Sequence, residues 1–137
     1  MIAYTDYLTM RTKNRYEIID ITDEIERFRA KANLTDGMIL VTAMHITASI
    51  FVNDHEAGLW QDIMQWLEAL APAKPEYKHH LTGEDNADAH LKRMLLGHQV
   101  VVPVTGGKLD FGPWERVHYG EFDGRRPKRI LLKAIGI

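Results

Sequence analysis

The sequence predicts an α+β fold with a largely antiparallel sheet, in a single domain that spans residues 1–137. Strand-like segments lie at both ends of the chain, and amphipathic helical segments lie between them. This order favours α+β, because regular alternation of strands and helices would instead indicate a parallel sheet. The chain has no internal repeat, linker or low-complexity tract, and its length suffices for one hydrophobic core.

The N-terminal part is predicted to form a hairpin of strands at 2–10 and 16–21, followed by a helix. Apolar residues recur with an imperfect period of two in the first strand and are frequent in the second, which indicates half-buried strands. Thr22 is the expected N-cap of the helix. Asp23 and Glu24 follow it in the first turn, where negative charge suits the helix dipole.

The middle of the chain is predicted to hold two strands within 38–53 and then two helices. Nearly every residue from Met38 to Met44 is apolar or small, which suits a strand covered on both faces. An apolar stripe between Leu59 and Leu70 indicates the first of the two helices. Asp85 or Asn86 caps the second helix, which is expected to bury four apolar side chains: Ala87, Leu91, Met94 and Leu95.

The C-terminal segment is predicted to be β-structure throughout. Apolar strands at 100–104 and 128–137 flank a short strand at 108–111 and an alternating segment at 114–122. The dipeptide Asp123-Gly124 is a signal for a tight hairpin between the last two strands.

The composition excludes several classes of protein. Net charge is −2, from 17 basic and 19 acidic residues, which argues against a general nucleic-acid binder. There is no cysteine, so disulfides and thiolate metal ligands are excluded. No apolar run approaches the ~20 residues that a membrane helix needs, and the first residues lack a signal-peptide pattern. We therefore expect a cytoplasmic protein with no nucleic-acid or membrane partner.

The stretch from His79 to Lys92 carries the side chains that most strongly indicate a functional site. Its fourteen positions hold three histidines, three carboxylates and an amide, and His45 follows an apolar strand upstream. We expect His45, His79 and His90 to converge, because imidazoles and carboxylates together are typical of metal sites and acid–base sites. Asp85 is one candidate carboxylate that orients a metal-bound imidazole. The alternative is that these histidines are core or surface groups with satisfied hydrogen bonds.

A second candidate group is the basic run that follows Asp123-Gly124. Its cations suit phosphate or pyrophosphate, since guanidinium groups match such oxygens, and they are Arg125, Arg126, Lys128 and Arg129. The alternative is a charged hairpin that protects a sheet edge. The hydroxyls of Thr47 and Ser49 are candidate phosphate donors or nucleophiles, or simply β-strand residues with local hydrogen bonds.

Three segments together resemble the YjbQ family of small bacterial and archaeal proteins. They are LVTAMHITASIFVND, YKHHLTGEDNADAHLKRMLLG and VVPVTGGKLDFGPWERVHYGEFDGRRPKR, within a resemblance that runs from about Tyr4 to Ile135. It implies a compact β-sandwich of two sheets with about three helices, and a homotrimer. The recurrent polar positions of the family match nine residues of this chain: His45, Thr47, Ser49, Asn53, His79, Asp85, His90, Trp114 and Glu121. His55, His80 and His118 lie outside that pattern.

The resemblance also implies an activity, because some members are described as secondary thiamine-phosphate synthases. That reaction joins a pyrimidine diphosphate to a thiazole phosphate and expels pyrophosphate, so it needs a divalent cation and positive charge near the leaving group. The cation is zinc or magnesium, since imidazoles suit the first and oxygen ligands the second. The assigned roles are metal binding for His45, His79 and His90, catalysis for Glu121, Asp85 and Ser49, and cofactor or phosphate binding for Arg125, Thr47 and Asn53.

Two other functions fit the same residues. A metal-dependent hydrolase or lyase would use metal-activated water on a small phosphorylated metabolite. A non-enzymatic trimeric protein would bind a metabolite or a metal ion without turnover. Turnover of phosphorylated substrates separates the two enzymatic functions from the binding function.

Overall fold

The computed structural model describes residues 1–137 and contains eight β-strands, three α-helices and one 3-10 helix. In chain order these are β1 (Ile2–Met10), β2 (Glu17–Asp20), α1 (Thr22–Ala32), β3 (Gly37–Ala43), β4 (Ala48–Asn53), α2 (Ala57–Leu70), the 3-10 helix (Lys78–Thr82), α3 (Ala87–Leu96), β5 (Gln99–Thr105), β6 (Lys108–Leu109), β7 (Arg116–Glu121) and β8 (Lys128–Gly136). None of the helices is both long and apolar enough to cross a membrane.

The strands form two sheets. One has five strands in the order β1-β8-β3-β5-β6, and the other has three strands in the order β2-β7-β4. Every pair of neighbouring strands is antiparallel. The predicted α+β class, with two largely antiparallel sheets and three helices, is confirmed.

The main hydrophobic core lies between the two sheets. Every second residue of β3 from Ile39 onward is buried, and these residues lie opposite buried positions of β8. Val117 and Tyr119 of β7 enter the same core from the small sheet, and Phe28 of α1 joins them. Side chains alternate between the faces of a strand, so His118 lies on the opposite face of the small sheet.

That opposite face of the small sheet is covered by helices, which form a third layer. Leu67 of α2, Ala89 of α3 and Phe122 form a second apolar cluster there. Trp60 of α2 packs edge-on against the ring of His118, with 5.5 Å between the ring centroids. The small sheet is therefore enclosed on both faces, and side chains on either face can be fully buried.

The predicted hairpins of β1 with β2 and of β7 with β8 are both wrong, because the two strands of each pair belong to different sheets. β1 and β8 belong to the five-stranded sheet, whereas β2 and β7 belong to the small one. The two crossing connections pass against each other at Gly124. A Cβ atom on Gly124 would lie 2.2 Å from the backbone oxygen of Asn14. The glycine that suggested a tight turn is instead required by this close approach.

The predicted buried face of α3 is also wrong beyond Ala87. Leu91, Met94 and Leu95 are 40%, 78% and 44% exposed. The helix instead buries Asp88 and Lys92, whose side chains pair at 2.8 Å and are each 1% exposed. Further partners make this burial tolerable: the Tyr16 hydroxyl donates to Asp88 at 2.6 Å, and Lys92 donates to the backbone oxygen of Ala71 at 2.7 Å. An apolar stripe of α3 is consequently left on the surface of the subunit.

Candidate functional site

Three histidines that are far apart in the sequence line one cavity of about 160 Å³. His45 comes from the connection between β3 and β4, His79 from the 3-10 helix and His90 from α3. The remaining wall residues are Ile46, Thr47, Glu84, Asn86 and Arg126. The structure thus brings the three histidines together around one space, while their chemical roles stay predictions.

Thr47 determines which nitrogen of His45 carries the proton. The backbone N–H of Thr47 donates to Nδ1 of His45 at 3.2 Å, and the Thr47 hydroxyl lies 2.8 Å from the same nitrogen. A backbone N–H can only donate, so Nδ1 presents its lone pair and the neutral ring is protonated on Nε2. Burial, followed by the positive charges of Lys128 and Arg126, lowers the pKa of His45. His45 therefore offers the cavity a neutral N–H donor.

His79 and His90 form an edge-to-face pair with 4.8 Å between their ring centroids. Burial, followed by the neighbouring His79, lowers the pKa of His90, which favours its neutral form. In its neutral form the His90 imidazole can donate one hydrogen bond and accept another. The pair therefore adds polar groups to the cavity wall.

A buried ion pair lies behind the cavity wall. Lys128 donates from Nζ to the carboxylate of Glu121 and to the backbone oxygen of Asp123, the latter at 2.7 Å. Glu121 also accepts from the Tyr119 hydroxyl at 2.7 Å and from the backbone N–H of Asp123 at 3.1 Å. The side chains of Lys128 and Glu121 are 0% and 1% exposed. Burial lowers the pKa of Lys128, and the Glu121 carboxylate opposes that shift.

Thr47 joins this ion pair to the cavity. Lys128 donates to the Thr47 hydroxyl oxygen at 2.7 Å. Because that oxygen accepts from Lys128, its own proton is free to point at Nδ1 of His45, 2.8 Å away. Glu121, Lys128, Thr47 and His45 therefore form a continuous hydrogen-bonded chain that ends at the cavity. Glu121 is a member of the site through this chain and does not itself line the cavity.

A second, larger space, the groove, adjoins the histidine cavity. It has a volume of about 490 Å³ and is lined by Tyr77, Lys78, His79, Ala87, His90 and Leu91. His79 and His90 belong to both walls. The cavity is polar whereas half of the groove's lining residues are apolar, so the two spaces together suit a ligand with a charged end and a ring-like body.

Asp85 and Arg125 are paired with each other at the surface. Their side chains make hydrogen bonds of 2.5 and 3.2 Å and are 58% and 47% exposed. Arg125 also binds the buried carboxylate of Asp123 at 2.8 Å. Its guanidinium lowers the pKa of Asp85, which favours the ionised carboxylate. Neither Asp85 nor Arg125 lines the cavity, and in this arrangement they hold the loop before α3 in place.

Ser49 and Asn53 lie on β4 and are not part of the cavity wall. Ser49 is fully buried opposite Gly120, and its Oγ has no hydrogen-bond partner. Asn53 is exposed at the far end of the strand, opposite Arg116. The catalytic role of Ser49 and the binding role of Asn53 therefore stay predictions that this cavity does not support.

Three residues of the site had no individual role assigned from the sequence: Arg126 and Lys128, which were named only as members of the basic run, and Asn86, which was named only as a possible helix cap. Within the basic run, Arg126 lines the cavity, whereas Arg125 does not. The run itself was the available signal, but which cation faces the cavity depends on the path of the chain between the two sheets. Asn86 donates to Oδ2 of Asp123 at 2.9 Å and so ties the loop before α3 to the segment after β7.

The cavity histidines do not form a compact set of metal ligands. The one group of three histidine or carboxylate side chains whose ligand atoms lie within 4.8 Å of one another is elsewhere in the chain. In addition, Nδ1 of His45 is occupied by Thr47, so a metal at Nε2 would have to displace the ring proton. The cavity wall carries one guanidinium, from Arg126, and one carboxylate, from Glu84.

Comparison with known sequences gives matches along almost the entire chain. A profile of the family described as UPF0047 protein YjbQ-like matches residues 6–137. A UPF0047 protein of Archaeoglobus fulgidus is 47% identical over 128 residues, which cover 93% of this chain and 98% of that protein. A UPF0047 protein of Methanothermobacter thermautotrophicus is 37% identical over 136 residues, or 99% of this chain and 94% of that protein.

Solved structures show the same extent of similarity. A YbjQ-like protein of unknown function from Sulfolobus solfataricus has a TM-score of 0.94 and 35% identity, with 98% of each chain covered. A yjbq/upf0047 family protein from Clostridium acetobutylicum has a TM-score of 0.88 and 31% identity, with 95% of this chain and 99% of that chain covered. With its sequence and its two-sheet fold both matched over nearly their full length, the chain belongs to the YjbQ-like UPF0047 family.

Proposed function

We propose that this protein acts on a small phosphorylated metabolite whose phosphate or pyrophosphate group binds in the histidine cavity. The donor set of that cavity carries the proposal: Nε2–H of His45, the guanidinium of Arg126 and the imidazoles of His79 and His90. Guanidinium and N–H donors match phosphate oxygens. The cavity takes the charged end of the ligand, and the adjoining groove takes its organic part.

Thiamine-phosphate synthesis is the specific reaction that we propose, because the family resemblance suggests it and the cavity suits its leaving group. Negative charge grows on the departing pyrophosphate, and donors that are already oriented toward it lower the barrier. Arg126 and His45 would supply those donors. A ring of the substrate would lie in the groove against Tyr77 and Leu91, which line its wall.

The buried ion pair has a positioning role in this proposal. Lys128 and Glu121 fix Thr47, and Thr47 holds the His45 ring in the tautomer that carries its N–H at Nε2. A fixed donor stabilises a developing charge without the cost of reorganising during the reaction. Glu121 therefore contributes through Lys128 and Thr47, without contact to the substrate.

The divalent cation of the synthase reaction need not be held by the protein's own histidines. Mg²⁺ binds phosphate oxygens and keeps several waters, so it commonly enters a site with its diphosphate. The geometry of His45, His79 and His90 does not fit a preformed three-histidine ligand set.

A homotrimer is part of the proposal because the subunit exposes an apolar surface beside the groove. Leu81 is 89% exposed, and Leu91, Met94 and Leu95 of α3 are 40%, 78% and 44% exposed. Several exposed apolar side chains on one helix, as on α3, are typical of interfaces. Leu91 also lines the groove, so a neighbouring subunit seated there would complete the wall around the ligand.

Pyrophosphate release from the pyrimidine diphosphate, in the presence of the thiazole phosphate and Mg²⁺, tests the proposed reaction. We expect turnover by the wild type and a loss of about 100-fold or more in kcat for Arg126→Ala and for His45→Ala, as for other oriented donors at a developing negative charge. His98→Ala is the matched control, since His98 is an exposed histidine outside the cavity. Equal loss in His98→Ala would show that the effect is not specific to the cavity.

Calorimetric titration with inorganic pyrophosphate, together with turnover assays that omit the thiazole phosphate, separates the synthase from the two alternative functions. Release of pyrophosphate or phosphate without the thiazole phosphate would favour a hydrolase or lyase. Binding that Arg126→Ala weakens, without turnover of any phosphorylated compound, would favour a non-enzymatic binding protein. If the wild type neither binds pyrophosphate nor turns over the substrates, the phosphate site itself is refuted.

A further inference from the structure

We propose that Asp20, His55 and His118 form a site for a divalent transition-metal ion, such as Zn²⁺, that is separate from the histidine cavity. Their ligand atoms all lie within 4.8 Å of one another. None of the three lines the cavity or the groove beside it. The site lies on the helix-covered face of the small sheet, where His118 packs against Trp60 of α2.

Strand pairing brings two of the ligands together. Asp20 of β2 lies directly opposite His118 of β7 in the antiparallel register. Residues directly opposite each other share a face of the sheet, with Cβ atoms about 4.5–5.5 Å apart. His55 joins them from the short connection between β4 and α2, and its Nδ1 lies 2.6 Å from Oδ2 of Asp20. Two rigid elements and one connection therefore supply the three ligands.

His118 is the observation that points to a ligand. Its side chain is fully buried, and neither Nδ1 nor Nε2 makes a hydrogen bond of normal geometry, so the backbone of Arg116, which raises the His118 pKa against the effect of burial, is at most a weak partner. Its ring is held by a stack on Phe51, with 5.0 Å between centroids, and by the edge of Trp60. Buried polar groups nearly always have a partner, so an imidazole without one indicates that a ligand completes it. Burial also lowers the pKa of His118, so the ring is neutral, as ligation requires.

To hold the ion, the contact between His55 and Asp20 must open, and the distances from these two residues to His118, which are at most 4.8 Å, must close by at most about 1.5 Å. With Zn–N and Zn–O distances of about 2.0–2.1 Å, neighbouring ligand atoms in a tetrahedral site lie about 3.3 Å apart. The His55–Asp20 contact of 2.6 Å must therefore open by less than about 1 Å. The His55 side chain is 52% exposed, so it is free to make that movement. The ion would replace the hydrogen bond between these two residues.

The surroundings of Asp20 resemble those of a metal-bound carboxylate. Arg116 donates from Nε to Oδ2 of Asp20 at 2.7 Å, and the backbone N–H of Thr22 donates to Oδ1 at 2.9 Å. Hydrogen bonds to ligating carboxylates are a regular feature of metal sites. Asp23 lies 3.5 Å from Arg116 and offsets its positive charge. Two imidazoles and one carboxylate favour Zn²⁺, Co²⁺ or Cu²⁺ over Mg²⁺, and leave one position for water.

Trp60 is a built-in reporter for this site. Its ring lies 4.5 Å from that of His55 and 5.5 Å from that of His118, measured between centroids. A paramagnetic ion such as Cu²⁺ held by these histidines would quench the fluorescence of Trp60. The readout requires no knowledge of the enzymatic reaction.

The experiment is titration of metal-free, untagged protein with Cu²⁺, followed by tryptophan fluorescence, and with Zn²⁺, followed by calorimetry. We expect saturable quenching at one ion per chain, with affinity reduced at least about 100-fold in His55→Ala and in Asp20→Asn, since loss of a ligand costs no less than the roughly 10–100-fold that loss of an outer supporting group costs. His55 is half-exposed, so its alanine variant should fold. Trp60→Phe should remove most of the quenching and leave the Zn²⁺ stoichiometry unchanged.

His45→Ala is the control that separates the two histidine sites. It should leave the affinity for Cu²⁺ and Zn²⁺ unchanged, and His55→Ala should leave pyrophosphate binding unchanged. The proposal is overturned if the wild type binds no ion, if His55→Ala and Asp20→Asn bind as tightly as the wild type, or if only His45→Ala loses the ion. None of these outcomes depends on whether the phosphate site is correct.

Discussion

Lys128→Met should destabilise the protein by about 3 kcal/mol, because it leaves the Glu121 carboxylate buried without its cation. Removal of one partner of a buried ion pair costs roughly 3–5 kcal/mol. The side chains of Lys128 and Glu121 are 0% and 1% exposed, so water cannot replace the lost partner. Glu121 keeps the Tyr119 hydroxyl and the Asp123 N–H as donors, which places the loss at the lower end of that range.

The double variant Lys128→Met, Glu121→Gln should recover part of this loss. A neutral glutamine can accept from the Asp123 N–H through its carbonyl oxygen and donate from its amide to the Tyr119 hydroxyl oxygen, and it carries no buried charge. We expect it to be about 1–2 kcal/mol more stable than Lys128→Met alone. The gain would show that the uncompensated charge, and not the lost methylene packing, causes most of the destabilisation.

Urea unfolding followed by tryptophan fluorescence and far-UV circular dichroism measures these free energies. A domain of 137 residues has a stability of roughly 7–20 kcal/mol, so the single variant should remain folded enough for measurement. Lys133→Met is a control for loss of a lysine, since Lys133 of the same strand is exposed. A loss below about 1 kcal/mol in Lys128→Met, or a double variant less stable than the single one, would refute the reasoning.

Further predictions concern the other buried and exposed groups. Burial lowers the pKa of His118 from about 6.5. The unfolded chain therefore takes up a proton below pH 6.5 that the folded chain lacks, and stability falls toward acid by up to ~1.4 kcal/mol per pH unit. In metal-free protein His118→Phe should flatten this decline between pH 7 and 5, and an unchanged slope would contradict it. Gly124→Ala should cost about 1–3 kcal/mol in urea unfolding, since the new Cβ meets Asn14; a neutral effect would contradict that contact. Asp85→Asn should change stability by less than about 1 kcal/mol, because its pair is exposed. Met94→Glu should dissociate the proposed trimer in light-scattering measurements, and an unchanged mass would exclude α3 from the interface.

Local sequence patterns predicted most of the secondary structure. The apolar stripe of α2 and the buried run of β3 are signals that depend on neighbours within a few residues. The pairing of strands could not be predicted from such local patterns. The chain crosses between the two sheets after β1 and again after β7, where local turn chemistry had predicted hairpins. A glycine at position 124 fits either a tight turn or a close approach of two backbones, and only the second is realised.

The candidate site was likewise predicted only in part from the sequence. Imidazole clustering pointed to His45, His79 and His90, and all three do line one cavity. The sequence did not reveal that Thr47 orients His45. That result depends on Lys128, which reaches Thr47 from 81 residues further along the chain. The sequence also did not show that Arg126 lines the cavity and Arg125 does not. The direction of each side chain follows from how the segment before β8 crosses between the sheets.

By itself, the sequence determined the α+β class, the three helices, the family and the residues from which the cavity is built. Only the tertiary structure decided which charges are buried, as with Asp88 and Lys92 of α3, which were not among the side chains predicted to be buried. It also decided that Asp20 and His118 face each other across two strands. The physical reason is that periodicity and capping are properties of neighbouring residues. The partners that make a buried charge or an unpaired imidazole tolerable come from distant parts of the chain.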